Sequence, residues 1–169
     1  MTISYRSCGI PDAGALAALF RESFCSTFAH LYRPENLEAF LGEFGREAWE
    51  SELADEHYAF QLAEADGKPV GFAKLGPPSL PVETCGHAIE LRQLYLLHDW
   101  RGAGIAHALM DWAIEEARVR GAQEMFLTVY TDNHRAKRFY QRYGFEEVGP
   151  YKFMVGTQAD EDIIMRACV

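Results

Sequence analysis

The sequence has few cysteines and none in a paired spacing, which argues against two classes of small protein. Its four cysteines are scattered along the 169 residues, at Cys8, Cys25, Cys85 and Cys168, with no Cys-x-x-Cys pair. Zinc sites use closely spaced Cys and His pairs, and disulfide frameworks use recurring Cys spacings. Cys85-Gly-His87 resembles half of a metal site, but no second half follows it. We therefore expect reduced thiols and no bound metal.

Basic residues and long apolar runs are also scarce. Lys and Arg number 16 against 25 Asp and Glu, a net charge of −9, which argues against nonspecific nucleic-acid binding. No apolar stretch approaches the ~20 residues of a membrane span, and the N-terminus has no signal-peptide run. We expect a cytoplasmic protein with neither nucleic acid nor membrane as a partner. An acidic surface suits a small cationic substrate, although many soluble proteins are simply acidic.

Internal repeats, low-complexity tracts and domain linkers are missing as well. With 49% hydrophobic and 24% charged residues, the composition is that of a globular protein. A chain of 169 residues is long enough to bury a substantial core. We therefore expect a single domain over residues 1–169.

Apolar periodicity and turn signals predict alternating strands and helices. Strands are predicted at 3–8, 58–63, 70–75, 91–97, 125–130, 145–148 and 163–167. Helices are predicted from 11 to about 25, from 34 onward, around 49–53, from 105 to about 120 and over 133–143. Asp66-Gly67 is a hairpin signal, and Gly121 is typical of a helix end. This order predicts a mixed α/β sheet flanked by helices.

A turn with two glycines carries the strongest functional signal. It follows the strand that ends at residue 97 and leads into the helix that opens at Ile105. Such a turn leaves backbone N–H groups unpaired and pointing one way, at the positive end of the helix dipole. Gly102 and Gly104 have no Cβ, so a diphosphate can approach the main chain, and Arg101 can add a charged contact. The turn predicts a phosphate site, with an ordinary strand-to-helix connection as the alternative.

Two motifs resemble those of the GNAT N-acetyltransferases. Arg101-x-x-Gly104-x-Ala106 is similar to the loop that binds the pyrophosphate of coenzyme A in that family. The block Asn133-x-x-Ala136-x-x-Phe139-Tyr140-x-x-x-Gly144-Phe145 matches a second family pattern at the expected distance. The resemblance spans nearly the whole chain. It implies the GNAT fold, a mixed, mostly antiparallel sheet with splayed central parallel strands and helices on both faces.

The resemblance also implies acetyl-CoA as the co-substrate, with no metal. In the family the pantetheine arm lies between the splayed strands and binds the main chain of the first, here Leu94, Tyr95 and Leu96. The other residues implied to contact the cofactor are Arg101, Gly102, Ala103, Gly104, Ile105, Ala106, Asn133, Ala136, Phe139 and Arg142. Asn133 is equally suited to cap a helix, and Arg142, like Arg135, to be a solvated charge.

Tyr140 is the candidate general acid. Acetyl transfer from a thioester to an amine leaves a thiolate that must be protonated. Tyr140 matches the family's tyrosine near the thioester sulfur, and a phenol with a solution pKa near ~10 is a competent donor. The alternative is an aromatic packing residue beside Phe139 and Tyr143.

Glu90 is the candidate general base, because some family members carry a glutamate at the start of the first central strand. Strand alternation predicts that it shares a face with Arg92 and Leu94. The alternatives are an ion pair with Arg92, a partly solvated strand end, or deprotonation through ordered water. His87 and His98 are weaker candidates for the same role.

Two stretches of the sequence narrow the choice of acceptor substrate, because they look like those of the bacterial PaiA-type spermidine/spermine N-acetyltransferases. They are residues 22–38 and the tail from Phe153 through Asp160 and Asp162 to Met165. We therefore expect a polyamine or similar small amine as substrate. Candidates to hold its distal ammonium groups are Glu35, Glu38, Asp55 and Glu90. The alternatives are a protein N-terminal or lysine acetyltransferase and a noncatalytic coenzyme A-binding regulatory module. A homodimer is an open possibility.

Overall fold

The computed structural model describes residues 1–169, which form one seven-stranded sheet and five α-helices. The strands β1–β7 span Ile3–Ser7, Ala59–Ala65, Lys68–Gly76, Ala88–Leu96, Glu124–Tyr130, Glu146–Val155 and Gln158–Cys168. The helices α1–α5 span Ala13–Phe28, Pro34–Gly42, Arg46–Leu53, Ile105–Val119 and His134–Arg142. The strand order is β1-β2-β3-β4-β5-β7-β6, and only β4 and β5 are parallel. The predicted mixed, mostly antiparallel architecture is confirmed.

The two central strands separate after their first three residues. β4 and β5 pair at three positions, of which the last joins Glu90 to Phe126. Beyond that point β4 remains paired with β3 as far as Leu96. The opposite edge of β4 therefore carries backbone N–H and C=O groups without a strand partner. Because such groups need hydrogen-bond partners, this edge is suited to bind a ligand.

Each face of the sheet has its own hydrophobic core. Under α4 and α5 the fully buried residues include Ile105, Leu109, Met110, Ala113 and Met125. Under α1–α3 the core is aromatic, with Phe20, Phe24, Trp49 and Phe72 at 2% exposure or less. Helices cover both faces, as the resemblance implied. No helix has the length and apolar character needed to cross a membrane.

Local signals in the sequence account for several element ends. Pro34 begins α2, where its missing N–H costs nothing. Gly121 follows α4 with a φ of 79°, the left-handed conformation that glycine adopts without strain. Asp66 and Gly67 both have positive φ and join β2 to β3. These match the predicted hairpin and helix stop.

The last hairpin is longer than predicted. Strands were expected at 145–148 and 163–167, whereas β6 and β7 pair from Glu146–Arg166 to Val155–Gln158 and turn at Gly156. In the missed part, residues 149–162, exposed residues alternate with partly buried ones along each strand. Its apolar signal is weak because much of its surface is not covered by either core.

Candidate active site

The gap between β4 and β5 opens into a cavity of about 580 Å³, a size typical of cofactor and substrate sites. Its walls come from α1, β4, the loop before α4, β5, α5 and the β6–β7 hairpin. The predicted cofactor residues on the wall are Leu94, Tyr95, Leu96, Arg101, Gly102, Gly104, Ala106, Asn133, Ala136, Phe139 and Arg142, and Tyr140 joins them. The structure therefore brings most of the predicted site residues together around one space.

The glycine loop presents a row of unpaired backbone donors. The φ angles of Gly102 and Gly104 are 85° and 81°, and α4 begins directly after Gly104. The first backbone hydrogen bond of α4 is donated by Ala108, so the N–H groups of residues 102–107 have no backbone acceptor. A Cβ added at either glycine would meet no atom within 4 Å. The loop thus has the donors, the helix dipole and the space that a phosphate group requires.

Ala103 and Ile105 of this loop do not line the cavity with their side chains. Ile105 is 1% exposed and packs into the core beneath α4. Only their main-chain N–H groups are available to a phosphate, which is the contact the resemblance implied. The side chain of Ile105 instead stabilises the fold.

Arginines without carboxylate partners lie on the cavity wall. Arg101, Arg135 and Arg142 all line it, and the side chain of Arg101 hydrogen-bonds only to the hydroxyl of Thr27. Burial and the nearby charge of Arg135 lower the pKa of Arg101. Two guanidinium groups that repel each other beside a cavity are stabilised by an anion placed between them.

Helix α5 places Tyr140 on the cavity. Asn133 caps the helix, since its Oδ1 accepts from the N–H of Ala136 at 3.3 Å. Tyr140 is half-buried and packs against Phe139 and Phe145, with ring centroids 5.3 and 5.9 Å away. Burial raises the pKa of Tyr140, and its hydroxyl has no hydrogen-bond partner within the protein. The phenol therefore keeps its proton at neutral pH and has it available for transfer.

A bulge in β4 places Leu94 on a different face of the sheet from the one predicted relative to Glu90. The register with β3 shifts so that Lys74 faces Gln93 and Leu75 faces Leu91, leaving Arg92 without a partner. After the bulge Leu94 packs into the core under α4, and Tyr95 into the aromatic core on the other face. The prediction that Leu94 shares a face with Glu90 and Arg92 is therefore wrong. An extra residue in a strand reverses the alternation beyond it.

The side chain of Glu90 is engaged with its neighbours and lies outside the cavity lining. Its Oε2 is 2.6 Å from Nε of Arg92 and accepts from the hydroxyl of Ser79 at 2.8 Å. Arg92 in turn donates to the carbonyl of Pro77 at 2.6 Å. Burial raises the pKa of Glu90, and the charge of Arg92 opposes that shift. This is the ion pair that the sequence offered as the alternative to a catalytic base.

Two carboxylates that the sequence did not single out as site residues lie on the cavity wall. Asp160 and Asp162 project from β7, and the phenol of Tyr32 donates a hydrogen bond to Asp160. The aromatic lining beside them includes Phe24, Phe28 and Phe153. The acidic residues proposed from sequence to hold ammonium groups, Glu35, Glu38, Asp55 and Glu90, are all absent from this wall. The signal in the sequence that could have identified Asp160 and Asp162 is their placement at alternate positions just before a predicted strand.

The cavity therefore has two chemically different parts. One has backbone N–H donors and arginines and suits an anion. The other has carboxylates within an aromatic wall and suits a cation. Tyr140 and the open edge of β4 complete its lining. The structure brings no group of three or more His, Cys, Asp or Glu side chains together as metal ligands.

Comparison with known proteins agrees with this arrangement. The acetyltransferase (GNAT) family model matches residues 19–145. An uncharacterised N-acetyltransferase of Mycobacterium tuberculosis is 32% identical over 155 residues, which cover 91% of this chain and 96% of that protein. The L-methionine sulfoximine/L-methionine sulfone acetyltransferase of Pseudomonas aeruginosa is 28% identical over 88% of this chain and 83% of its own.

A solved structure extends the likeness to the bound cofactor. The PaiA N-acetyltransferase of Thermoplasma acidophilum, crystallised in complex with coenzyme A, superposes with a TM-score of 0.79. It is 25% identical, and the match covers 100% of both chains.

Proposed function

The chain belongs to the GNAT family of acetyl-CoA-dependent N-acetyltransferases, and we propose that its acceptor is a small primary amine of the polyamine class. The observation that carries the proposal is the pair of carboxylates, Asp160 and Asp162, on an aromatic wall of the cavity. A polyamine is a chain of ammonium groups joined by methylenes. It therefore matches both the charge and the apolar surface of that wall.

The cofactor would be held by main-chain groups and arginines. The N–H groups of residues 102–106 would bind the pyrophosphate at the start of α4. Arg101, with Arg135 and Arg142, would contact the phosphates of coenzyme A. The open edge of β4 at residues 94–96 would hydrogen-bond the pantetheine arm, which occupies the gap as an added strand. This arm leads from the phosphate loop past Tyr140.

Tyr140 would protonate the leaving thiolate. Its raised pKa keeps the phenol protonated across the neutral range, and no group of the protein competes for its hydrogen. The proton acceptor for the amine is not Glu90 in this proposal, because Arg92 and Ser79 already occupy that carboxylate. Glu90 instead fixes Arg92 against the Pro77 carbonyl and so holds the strand bulge beside the cavity.

One relative supports a small acceptor. The Pseudomonas aeruginosa relative is named for L-methionine sulfoximine and L-methionine sulfone, which are amino acids with a primary amine. An amino acid is therefore the second candidate acceptor for this chain. It differs from a polyamine in its carboxylate, which Asp160 and Asp162 would repel.

The proposal is tested by release of free thiol from acetyl-CoA in the presence of single candidate acceptors. We expect turnover with spermidine and spermine, less with L-methionine sulfone, and least with a peptide bearing a free N-terminal alanine. Product masses increased by one acetyl group would verify transfer to the amine. If the peptide is acetylated readily and the polyamines are not acetylated, the polyamine proposal is overturned. Hydrolysis of acetyl-CoA alone would leave no acceptor assigned.

A further inference from the structure

Resting on the proposed function, we infer that Asp162 receives the reacting ammonium group of the acceptor and removes its proton. In the same proposal Asp160, held by Tyr32, binds a second positive charge of the acceptor. Asp162 would thus be the catalytic base of the acceptor side. Asp160 would determine specificity.

Asp162 is buried without a partner. Its residue is 7% exposed and lines the cavity, yet its carboxylate takes part in no hydrogen bond or ion pair, unlike the other two buried acidic residues, Glu90 and Glu124. Buried carboxylates are normally paired because removal from water is costly. The missing partner is therefore expected to be a ligand that donates hydrogen bonds and carries positive charge.

A second acceptor without a partner belongs to a residue of the cavity wall. Gln93 is 9% exposed and lines the cavity, and its Oε1 has almost no exposed surface and no hydrogen-bond partner. Gln93 lies on β4, whereas Asp162 lies on β7, so the two observations are independent. An ammonium group offers three N–H donors and no acceptor. It is the ligand type that the unpaired carboxylate of Asp162 requires.

No basic residue on a neighbouring element offsets the negative charge of Asp162. The titratable groups around it are Asp160 on its own strand, Tyr130 on β5, Tyr151 on β6, Tyr95 on β4 and Tyr32 after α1. Burial and the charge of Asp160 raise the pKa of Asp162 to about 7. A carboxylate with that pKa accepts a proton near neutral pH more readily than an ordinary one, as a general base requires.

Tyr95 lies close to both the proposed acid, Tyr140, and the proposed base, Asp162. Burial raises the pKa of its phenol, and the nearby Tyr140 and Asp162 raise it further. Both groups are therefore close to Tyr95, whose ring packs into the aromatic core and whose main chain belongs to the edge of β4 that the cofactor would use. The proposed acid and the proposed base therefore both lie near the strand that would bind the pantetheine arm.

The proton and bond balance of the transfer is simple. Asp162 takes one proton from the acceptor ammonium, and the free amine forms a C–N bond to the acetyl carbon. The C–S bond breaks, and the thiolate takes the phenolic proton of Tyr140. The new amide nitrogen loses its second proton to restore Tyr140, and Asp162 later releases its proton to solvent. The net products are the acetylated amine, free coenzyme A thiol and one proton.

The first test is the kinetics of Asp162→Asn with spermidine and acetyl-CoA. The substitution keeps the size of the side chain and removes its charge, so kcat should fall by ~10²–10⁴-fold with coenzyme A affinity unchanged. Glu161→Gln is the matched control, because Glu161 is the intervening, exposed residue of β7 and pairs only with Lys152. Asp160→Asn should raise KM for spermidine with kcat within a few-fold of wild type.

The pH profile separates a base from a structural residue. In the wild type kcat should fall tenfold for each pH unit below the pKa of Asp162, and this acid limb should be missing in Asp162→Asn. A variant with the wild-type profile and wild-type kcat would overturn the assignment. If the wild type acetylates no amine, the proposed function fails by itself.

The binding of spermidine to the coenzyme A-loaded protein gives a readout without turnover. Calorimetry should show at least ~10-fold weaker binding for Asp162→Asn than for Glu161→Gln, because a desolvated charge pair is lost. Equal binding by both variants would overturn the inference whether or not the wild type is active.

Thermal unfolding gives a further check. Because the folded state holds the Asp162 proton more tightly, its stability should decrease as pH rises from about 4 to about 7. Asp162→Asn should therefore raise the Tm relative to wild type at pH 8 and change it little at pH 4. A variant less stable than wild type at pH 8 would show that Asp162 is satisfied within the fold, and would also overturn the inference.

Discussion

At the scale of single residues, the candidate site is marked by polar groups that the fold leaves unpaired. The hydroxyl of Tyr140 and the carboxylate of Asp162 lie on the cavity wall without a protein partner, and the Oε1 of Gln93, another wall residue, is buried without one. Glu90 is the contrast, since it lies nearby and is fully bonded to Arg92 and Ser79. Because folded proteins satisfy nearly all buried polar groups, unpaired ones around one cavity indicate where ligands bind.

Replacing Tyr140 with Phe tests the general acid. Tyr140→Phe removes only a hydroxyl, so kcat should fall by ~10²–10⁴-fold while coenzyme A affinity changes little. Tyr143→Phe is the matched control on the same helical turn, because its hydroxyl bonds to Asp111 and His107 at the surface. Steady-state thiol release measures both. Near wild-type turnover in Tyr140→Phe would assign that residue to packing.

Replacing Glu90 with Gln tests its assignment to the ion pair. Arg92 would keep its bond to Pro77 but lose its charge partner, so we expect a loss of unfolding free energy of about 1–3 kcal/mol. Turnover should stay within a few-fold of wild type at every pH. A catalytic base would behave differently, with a deep loss at neutral pH that recovers at high pH as more amine is free. Denaturant unfolding and a pH–rate profile distinguish the two results.

At this scale the sequence predicts which residues lie on the cavity where a short motif fixes their spacing. It does not predict the position of a side chain that depends on the three-dimensional path of the chain. Most residues of the two motifs, from Arg101 to Ala106 and from Asn133 to Tyr140, lie around one cavity, because each motif is a short local unit. The face of Leu94 was wrong because nothing in the sequence marked the bulge at Arg92. Asp160 and Asp162 were named only as part of the tail that resembles the PaiA-type enzymes, and their place on the cavity wall depends on contacts with distant elements.

At the scale of elements, the glycine loop and α4 form the proposed phosphate site. Gly104→Val should weaken coenzyme A binding at least ~10-fold, equivalent to about 1.4 kcal/mol, because the side chain fills the open space above the loop. The positive φ of Gly104 makes the variant strained as well. Gly121→Val is the control, since Gly121 has a φ of 79° at the other end of α4 and also has no nearby atoms.

Calorimetric titration with coenzyme A reports the difference between these variants. Both should lose stability by a similar amount, whereas only Gly104→Val should lose affinity. Equal affinities in the two folded variants would show that the pyrophosphate does not bind at this loop.

The β6–β7 hairpin is clamped to α2, and this clamp positions the acidic wall. Asn36 is 7% exposed, accepts from the N–H of Thr157 at 3.0 Å and donates to Gln158 Oε1 at 3.0 Å. Asn36→Ala should cost about 1–3 kcal/mol of unfolding free energy and raise KM for the amine. Coenzyme A affinity should not change, because the cofactor residues lie on other elements.

Glu43→Ala, at the exposed C-terminal end of α2, is the control for that measurement. An unchanged KM for spermidine in a destabilised Asn36→Ala variant would mean that the hairpin position does not matter for the acceptor.

The elements themselves were largely predictable. Helices and central strands carry strong apolar periodicity, and Pro34, Asp66-Gly67 and Gly121 mark ends by backbone chemistry. The length of the last hairpin was not predictable, because its outer half packs little apolar surface. The clamp by Asn36 joins residues about 120 positions apart, and no local pattern announces such a contact.

At the scale of the whole molecule, one cavity presents opposite charges to two substrates. The chain has a net charge of −9, yet the part of the cavity at the start of α4 has arginines and unpaired N–H groups. Asp160 and Asp162 form the acidic part. Because β4 and β5 separate after Glu90, these two parts belong to one continuous cavity. The fold thus provides a binding site for an anionic donor next to one for a cationic acceptor.

The most direct test of this account is the affinity of a conjugate in which an acetyl linker joins spermidine to the sulfur of coenzyme A. If both sites lie in one cavity, the conjugate should bind at least ~100-fold more tightly than coenzyme A, because its second half binds at high effective concentration. Gly104→Val and Asp162→Asn should each remove part of that gain. A conjugate that binds no more tightly than coenzyme A alone would contradict the account.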